Sequence, residues 1–373
     1  MPKPSILKSI LAIALAVPFI GASSIQPVAP ITVREWGTFT SVAGAAGQSV
    51  SWAPLRVSSD LPCFVYGSSA AKYWPFLIRM ETPVDYFYTQ TPATVSVHVN
   101  FPEGTITEWY PKATGPDTHG SIDWKDLTLQ PGANPTFPAS KGASRYYAAR
   151  ATDSVPLRAG DENEKFLFYR GMGNFKVPIE PVPDGNGVLL RNTGTEPISL
   201  AILFENQRGR IGYRVVRDLK DSAQLYAPDL NASFDALRTE LIASLMHSGL
   251  YPKEAAAMLE TWRDSWFEEG MRVIYLMPRA TVDQVLPLKV TPAPKDVQRV
   301  FVGRVEVLSP WTERTIRAAM ETGDKPALDR FGRFLMPFLA QIRAKGGLNE
   351  SPLATSYAQQ VAARIGGSAS CIQ

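Results

Sequence analysis

Proline and glycine punctuate this chain so closely that few segments can run far without a turn: 31 and 27 residues of 373. Proline lacks a backbone donor and breaks element interiors, so a bundle of long helices is excluded and short strands joined by turns are expected. The remaining composition, 45% apolar and 20% charged, is that of an ordinary globular chain long enough for two domains or one elaborate one.

From Thr32 to about Val216 the chain reads as such strands. The clearest is Thr94 to Phe101, whose strict alternation puts Val95, Val97, Val99 and Phe101 on one face. Further strands are expected at Phe76 to Glu81, Val84 to Tyr88, Lys165 to Tyr169, Val188 to Arg191, Ile198 to Phe204 and Ile211 to Val216. Val177 to Gly187, rich in proline and glycine, is either a linker or a long loop within one domain. Beyond it, Ser233 is a good N-cap for a helix carrying Phe234, Leu237, Leu241 and Leu245, and Pro252 opens a second helix that runs to Gly270. Strands resume at Met271 to Met277, Val285 to Val290 and Arg299 to Leu308, before a final amphipathic stretch broken near Gly323 to Pro326 and at Pro337. The expected fold is therefore α+β, mainly β. An antiparallel β-sandwich-like region over 25–180 is followed, over 188–373, by a mixed region with a helical hairpin, further strands and a C-terminal helical segment. The boundary is soft, and a single composite domain is the alternative.

Residues 1–24 read as a signal peptide. Lys3 and Lys8 precede an apolar run from Ile10 to Ala22 that is too short to span a bilayer, and Gly21 to Ser24 supply small residues for cleavage. This implies export to the periplasm or the extracellular space without a stable transmembrane anchor. Loss of Lys3 and Lys8 takes the formal charge from +3 to +1, which leaves no electrostatic case for nucleic acid. In an oxidising compartment Cys63 and Cys371 either form a bridge or stand as one buried and one tail thiol. Two distant cysteines and three histidines do not suit a closed zinc site, and no metal or other cofactor is expected.

No nucleophile elbow, zinc-protease, phosphate-loop or EF-hand pattern occurs. A three-residue turn at Pro102 to Gly104 would set His98 opposite Glu108, with Trp109 among the valines of the other face, and Glu81 or Asp85 could add a third group. That set is either an acid/base pair, half a metal site or an exposed ion pair. Glu260 to Gly270 combines two tryptophans with acids and bases in the manner of a sugar site. Helical geometry, however, turns Trp262 and Trp266 toward the core, turns Glu260 and Asp264 away, and returns Glu269 to the tryptophan side. Glu268 and Glu269 crowd the negative end of the helix dipole, so Arg263 or Arg272 is expected as their partner unless Glu269 is functional. His119 with Asp117 and Asp123 is an unspecific ligand set, and Asp153, Asp161, Glu162 and Glu164 read as a solvated loop.

These observations favour an exported, non-catalytic protein that binds a glycan or an envelope protein. The rival is a secreted carboxylate-dependent hydrolase of glycoside type with Glu108, Glu269 and His98 as catalytic candidates and Glu81, Asp85, Trp109 and Arg263 as binding candidates. A structural protein of the envelope is the third reading.

Overall fold

The computed structural model describes residues 30–52, 61–67, 75–117, 120–185 and 187–346. In chain order its strands are β1 (Thr32–Val42), β2 (Tyr66–Gly67), β3 (Ile78–Tyr88), β4 (Ala93–Val99), β5 (Gly104–Tyr110), β6 (Ile122–Leu129), β7 (Leu157–Ala159), β8 (Glu162–Glu164), β9 (Leu167–Gly173), β10 (Ile179–Asp184), β11 (Gly187–Asn192), β12 (Ile198–Gln207), β13 (Arg210–Leu219), β14 (Ser222–Tyr226), β15 (Gly270–Leu276), β16 (Leu288–Thr291) and β17 (Asp296–Val307). The helices are α1 (Phe234–His247), α2 (Pro252–Trp266), α3 (Arg279–Val285), α4 (Pro310–Thr322), α5 (Lys325–Asp329) and α6 (Leu335–Ala344). The fold is α+β and mainly β, as the punctuation of the chain implied. The signal segment, His119 and Cys371 lie outside the described residues.

Nine strands form one mixed sheet in the order β13-β12-β15-β17-β1-β3-β9-β5-β2. Its seam is β1, parallel to β17 from Thr32 opposite Asp296 to Val42 opposite Glu306, and antiparallel to β3. The sheet thus takes strands from both sides of the interval 180–188. Val177 to Gly187 is not a bare linker, since β10 pairs with β11 from Ile179 opposite Asn192 to Asp184 opposite Gly187.

One face of the large sheet packs on the two smaller sheets, β10-β11-β14 and β16-β4-β6-β7-β8, around Val33, Phe39, Met80, Val97, Trp124, Leu190, Tyr275 and Phe301. The other face carries helices in two groups. Helices α1 and α2 cover Trp36, Val84, Phe204, Ile274 and Val302, whereas α4 to α6 cover Val42, Trp52 and Leu308. The caps expected from sequence operate: Ser233 Oγ accepts from the Ala236 amide, and Pro252 sits in the first turn of α2. Pro337, read as a break, instead lies in the first turn of α6, where its missing N–H has no helical acceptor to lose. Val285 to Val290, read as one strand, divides between the end of α3 and the start of β16.

Strands β4 and β5 do not form the expected hairpin. β4 pairs with β6 and β16, and β5 with β9 and β2, in different sheets. Phe101 causes the divergence. It is fully buried at the corner, and its ring occupies the space above Gly104 and Gly173, where an added Cβ would stand 2.4 and 2.5 Å from ring carbons. A flat two-strand ribbon would leave this phenylalanine beside its neighbours' side chains; the bare glycines let it fold the chain from one layer to the other.

The helix face also buries charge. The side chains of Arg272 and Arg304 are inaccessible to solvent and share Glu306, with Arg272 Nε 2.8 Å and Arg304 Nε 2.6 Å from Glu306 Oε1. Burial raises a carboxyl group, but the two guanidiniums hold Glu306 below the usual carboxylate range. Removing one member of such a group strands a buried charge. Glu306→Ala should therefore lose about 3–5 kcal/mol in urea unfolding. Asp264→Ala, at an exposed pair with Arg145, should lose under about 1 kcal/mol. Equal losses would contradict this ranking.

Candidate functional site

Glu81 and Asp85 are four residues apart on one strand, a spacing that puts both on the same face of a regular sheet. They lie on opposite faces because β3 bulges between them: Trp36 pairs with Val84 but Thr38 with Glu81, and Thr82 takes a left-handed φ of 48°. The bulge sends Glu81 to the helix face and Asp85 to the sandwich face.

On the helix face, Glu81 belongs to a polar band between the two helical groups. Arg333 Nη1 donates to Glu81 Oε1, and Arg79 Nε lies 3.6 Å from the same oxygen. Burial would raise the Glu81 carboxyl; Arg333 and Arg79, with help from Arg304, hold it low and ionised. Arg79 is in turn disfavoured as a cation by burial, with Glu108 opposing that and Arg170 adding to it. Glu108 faces Arg170 across β5 and β9 and accepts from the Thr107 hydroxyl. Two expected acids, Glu81 and Glu108, thus meet around Arg79. The floor of the band is β1. Thr40 stands opposite Arg79 on one side and Arg304 on the other, and Thr38 stands opposite Glu81. Both threonines are fully buried, and neither hydroxyl, nor Arg79 Nη1, has a hydrogen-bond partner.

The band reaches the surface at the C-terminal end of α2. Arg304 Nε donates to Glu306, Nη1 to Ser265 and Nη2 to Glu268. Arg272 caps the helix through the carbonyls of Trp266, Glu268 and Glu269. These contacts supply what two acids at the negative end of a helix dipole require. The partners differ from those expected: Glu268 pairs with Arg304 and Glu269 with Arg330, 3.2 Å away, while Arg263 pairs with Glu260 and Asp264 instead. A groove of about 580 Å³ runs between α1 and α2, lined by Phe234, Arg238, Leu259, Arg263, Phe267 and Glu268 among others. Glu268 belongs to both places, lining the groove and holding Arg304.

The other expected residues fall elsewhere. His98 Nδ1 lies 3.0 Å from Asp123 on the half-exposed surface of the five-stranded sheet and does not meet Glu108. Trp109 stacks on Tyr66 at the far edge of the large sheet. Trp262 and Trp266 are core residues, as their helical positions implied. Glu164 is no solvated loop acid: it is fully buried, bound by Arg150 and by the Tyr146 hydroxyl. Among the described residues no cluster of histidine, cysteine and carboxylate could hold a metal ion.

On the sandwich face Asp85 pairs with Glu35 across β3 and β1. Glu35 accepts from Arg299 and from the Tyr169 hydroxyl, whereas both Asp85 oxygens are buried without a partner. Burial, reinforced by the Glu35 charge and opposed by Arg299, pushes the Asp85 carboxyl well above its ordinary range.

No protein-family model and no curated protein matches the chain. Among solved structures it is similar to the Fcho1 mu-homology domain from Danio rerio with bound Eps15 peptide, at 8% identity and a TM-score of 0.33, over 75% of this chain and 97% of that one. It is also similar to the yeast delta-COP-I mu-homology domain, at 8% identity and a TM-score of 0.28, over 74% and 95%. Likenesses at this level carry no argument about function.

A carboxyl group raised by folding makes the native state hold a proton that the unfolded chain releases. Stability is then greatest below the unfolded aspartate pKa and falls as pH rises toward the folded value, by up to about 1.4 kcal/mol per pH unit. Asp85→Asn is neutral throughout. Its unfolding midpoint in urea should gain on wild type as pH rises above about 4, the unfolded aspartate value; a constant difference would contradict the assignment.

Proposed function

We propose that the protein is exported and binds a glycan without catalysis, taking the ligand through the groove between α1 and α2 toward the polar band beneath. The observation that carries this reading is the pair of buried Thr38 and Thr40 hydroxyls beside an unpartnered Arg79 nitrogen. Leaving a buried polar atom unpaired costs about 1–3 kcal/mol, and three such atoms on one patch are what a site for a polar guest leaves when it is built for binding rather than for stability. A groove of this volume lies in the range of small-ligand sites.

Glu81 is held ionised by its arginines, which suits it to accept hydrogen bonds from sugar hydroxyls. Export rests on Lys3, Lys8 and the apolar run to Ala22. No described helix is long and apolar enough to cross a membrane. The bridge from Cys63 to Cys371 is part of the same proposal.

Mature protein recovered from outside the cytoplasm should start within or just after Gly21 to Ser24. It should bind members of a glycan array and turn over none of a glycoside and ester panel. Turnover that disappears in Glu108→Gln or Glu269→Gln would overturn the binding reading in favour of the hydrolase.

A further inference from the structure

Strand β13 ends the nine-stranded sheet and pairs with β12 alone. The turn between them has two residues, Arg208 and Gly209, both left-handed with φ of 55° and 84°. Such a turn closes on the hydrogen-bonded pair Gln207 and Arg210, so alternate residues of β13 direct their backbone groups away from β12. The Ile211 carbonyl is the first to do so, and it accepts from the Ala232 amide at 3.0 Å. Tyr213, Val215 and Arg217 continue in the same phase, and among the described residues nothing pairs with their outward amides and carbonyls. An edge of this kind takes up a further strand unless charge, proline or a covering segment blunts it. No proline or covering segment lies over these three residues among the described residues, and Val215 at their centre is 37% exposed.

Charge decides what the edge accepts. Residues 208–220 carry Arg208, Arg210, Arg214, Arg217 and Lys220 against Asp218 alone, in a chain whose whole formal charge is +3. Arg208 and Arg210 have no acidic partner among the described residues. The other three hold exposed pairs that water screens: Arg214 with Asp229 at 3.6 Å, Arg217 with Glu240 of α1, and Lys220 with Asp218 at 3.7 Å. A second copy of this chain would set these bases against their own kind, which is how arginine and lysine keep edges from pairing with themselves. The residues after 346 carry one acid, Glu350, and one base, Arg364, so the chain's own tail does not complement the edge either. An acidic strand does. Tyr213 packs with the helix-face core and Val216 with the sandwich core, so Val215 stands on the helix face, and Arg210 and Arg214 stand on the other. A strand laid beside β13 aligns its side chains with these face by face. We therefore infer that β13 takes up an extended segment of a partner protein, with acidic residues on one face and apolar residues on the other, as a further strand of the large sheet.

The test is fluorescence anisotropy of a labelled peptide of alternating glutamate and valine, titrated with the full-length protein. Two controls accompany it: the same peptide with lysine for glutamate, and the acidic peptide with all its amides methylated. The acidic peptide should bind, and neither control should. Val215→Pro removes an amide hydrogen that points away from β12, so it should abolish binding while leaving the pairing with β12 in place. Arg210→Gln/Arg214→Gln should weaken binding at least about fivefold, and raised salt should do the same in wild type. The arginine variant alters exposed side chains alone, so it keeps the test decisive should Val215→Pro fail to fold. Failure of the acidic peptide to bind, or binding that either control matches, would overturn the proposal. So would binding that survives both variants, or a dimer of the free protein in sedimentation that Val215→Pro dissolves, since the edge would then serve a second copy.

Discussion

The structure depends on keeping buried guanidinium groups compensated. Arg272 and Arg304 stand on neighbouring central strands and share Glu306, and neither can leave that carboxylate without stranding a charge away from water. Their remaining nitrogens are committed to the end of α2, through the carbonyls of Trp266, Glu268 and Glu269 and the side chains of Ser265 and Glu268. The triad thus fixes where α2 ends over the sheet. The position of α2 sets the wall of the groove, and Glu268 joins that wall to the band below.

The same sheet shifts two carboxylates of one strand in opposite directions. Glu81 faces arginines and is held below the usual carboxylate range; Asp85, four residues on, is buried beside Glu35 and pushed well above it. One extra residue in β3, accommodated by the left-handed Thr82, accounts for the difference. The helix face is thereby left for polar recognition, and the sandwich face carries a proton-dependent core.

Much of the local structure was legible in the sequence. The Ser233 cap, the Pro252 start, the alternation of Thr94 to Phe101 and the inward tryptophans of α2 each depend on neighbours within a few residues, where period and capping chemistry operate. The seam strand was not legible as a buried element. All of β1 except Thr32 is buried, on both faces, so its polar Arg34, Glu35, Thr38 and Thr40 break the apolar run without producing an alternation. The hairpin expected at Gly104 failed because the Phe101 ring also packs over Gly173, remote in sequence, and register inferred from a turn cannot anticipate that. Glu81 and Glu108 were singled out for a pairing with His98 that does not form, yet they do converge on Arg79. Glu35, Arg79, Arg299, Arg304 and the two threonines were missed. A usable signal existed: Arg304 and Glu306 lie two apart in the otherwise non-polar stretch from Val300 to Val307, where charges on one face must find partners across the sheet.

The central claim is that the hydroxyls on the floor of β1 serve a guest rather than the fold. The unfolding free energy of Thr38→Val/Thr40→Val, measured with and without a glycan that the wild-type protein binds on an array, tests it most directly. Without sugar, the variant should be more stable than wild type, by about 1–3 kcal/mol for each buried hydroxyl removed. With sugar, wild type should gain stability and the variant should not. A variant less stable than wild type in the absence of sugar would show that the hydroxyls hold the fold itself, and would contradict the account.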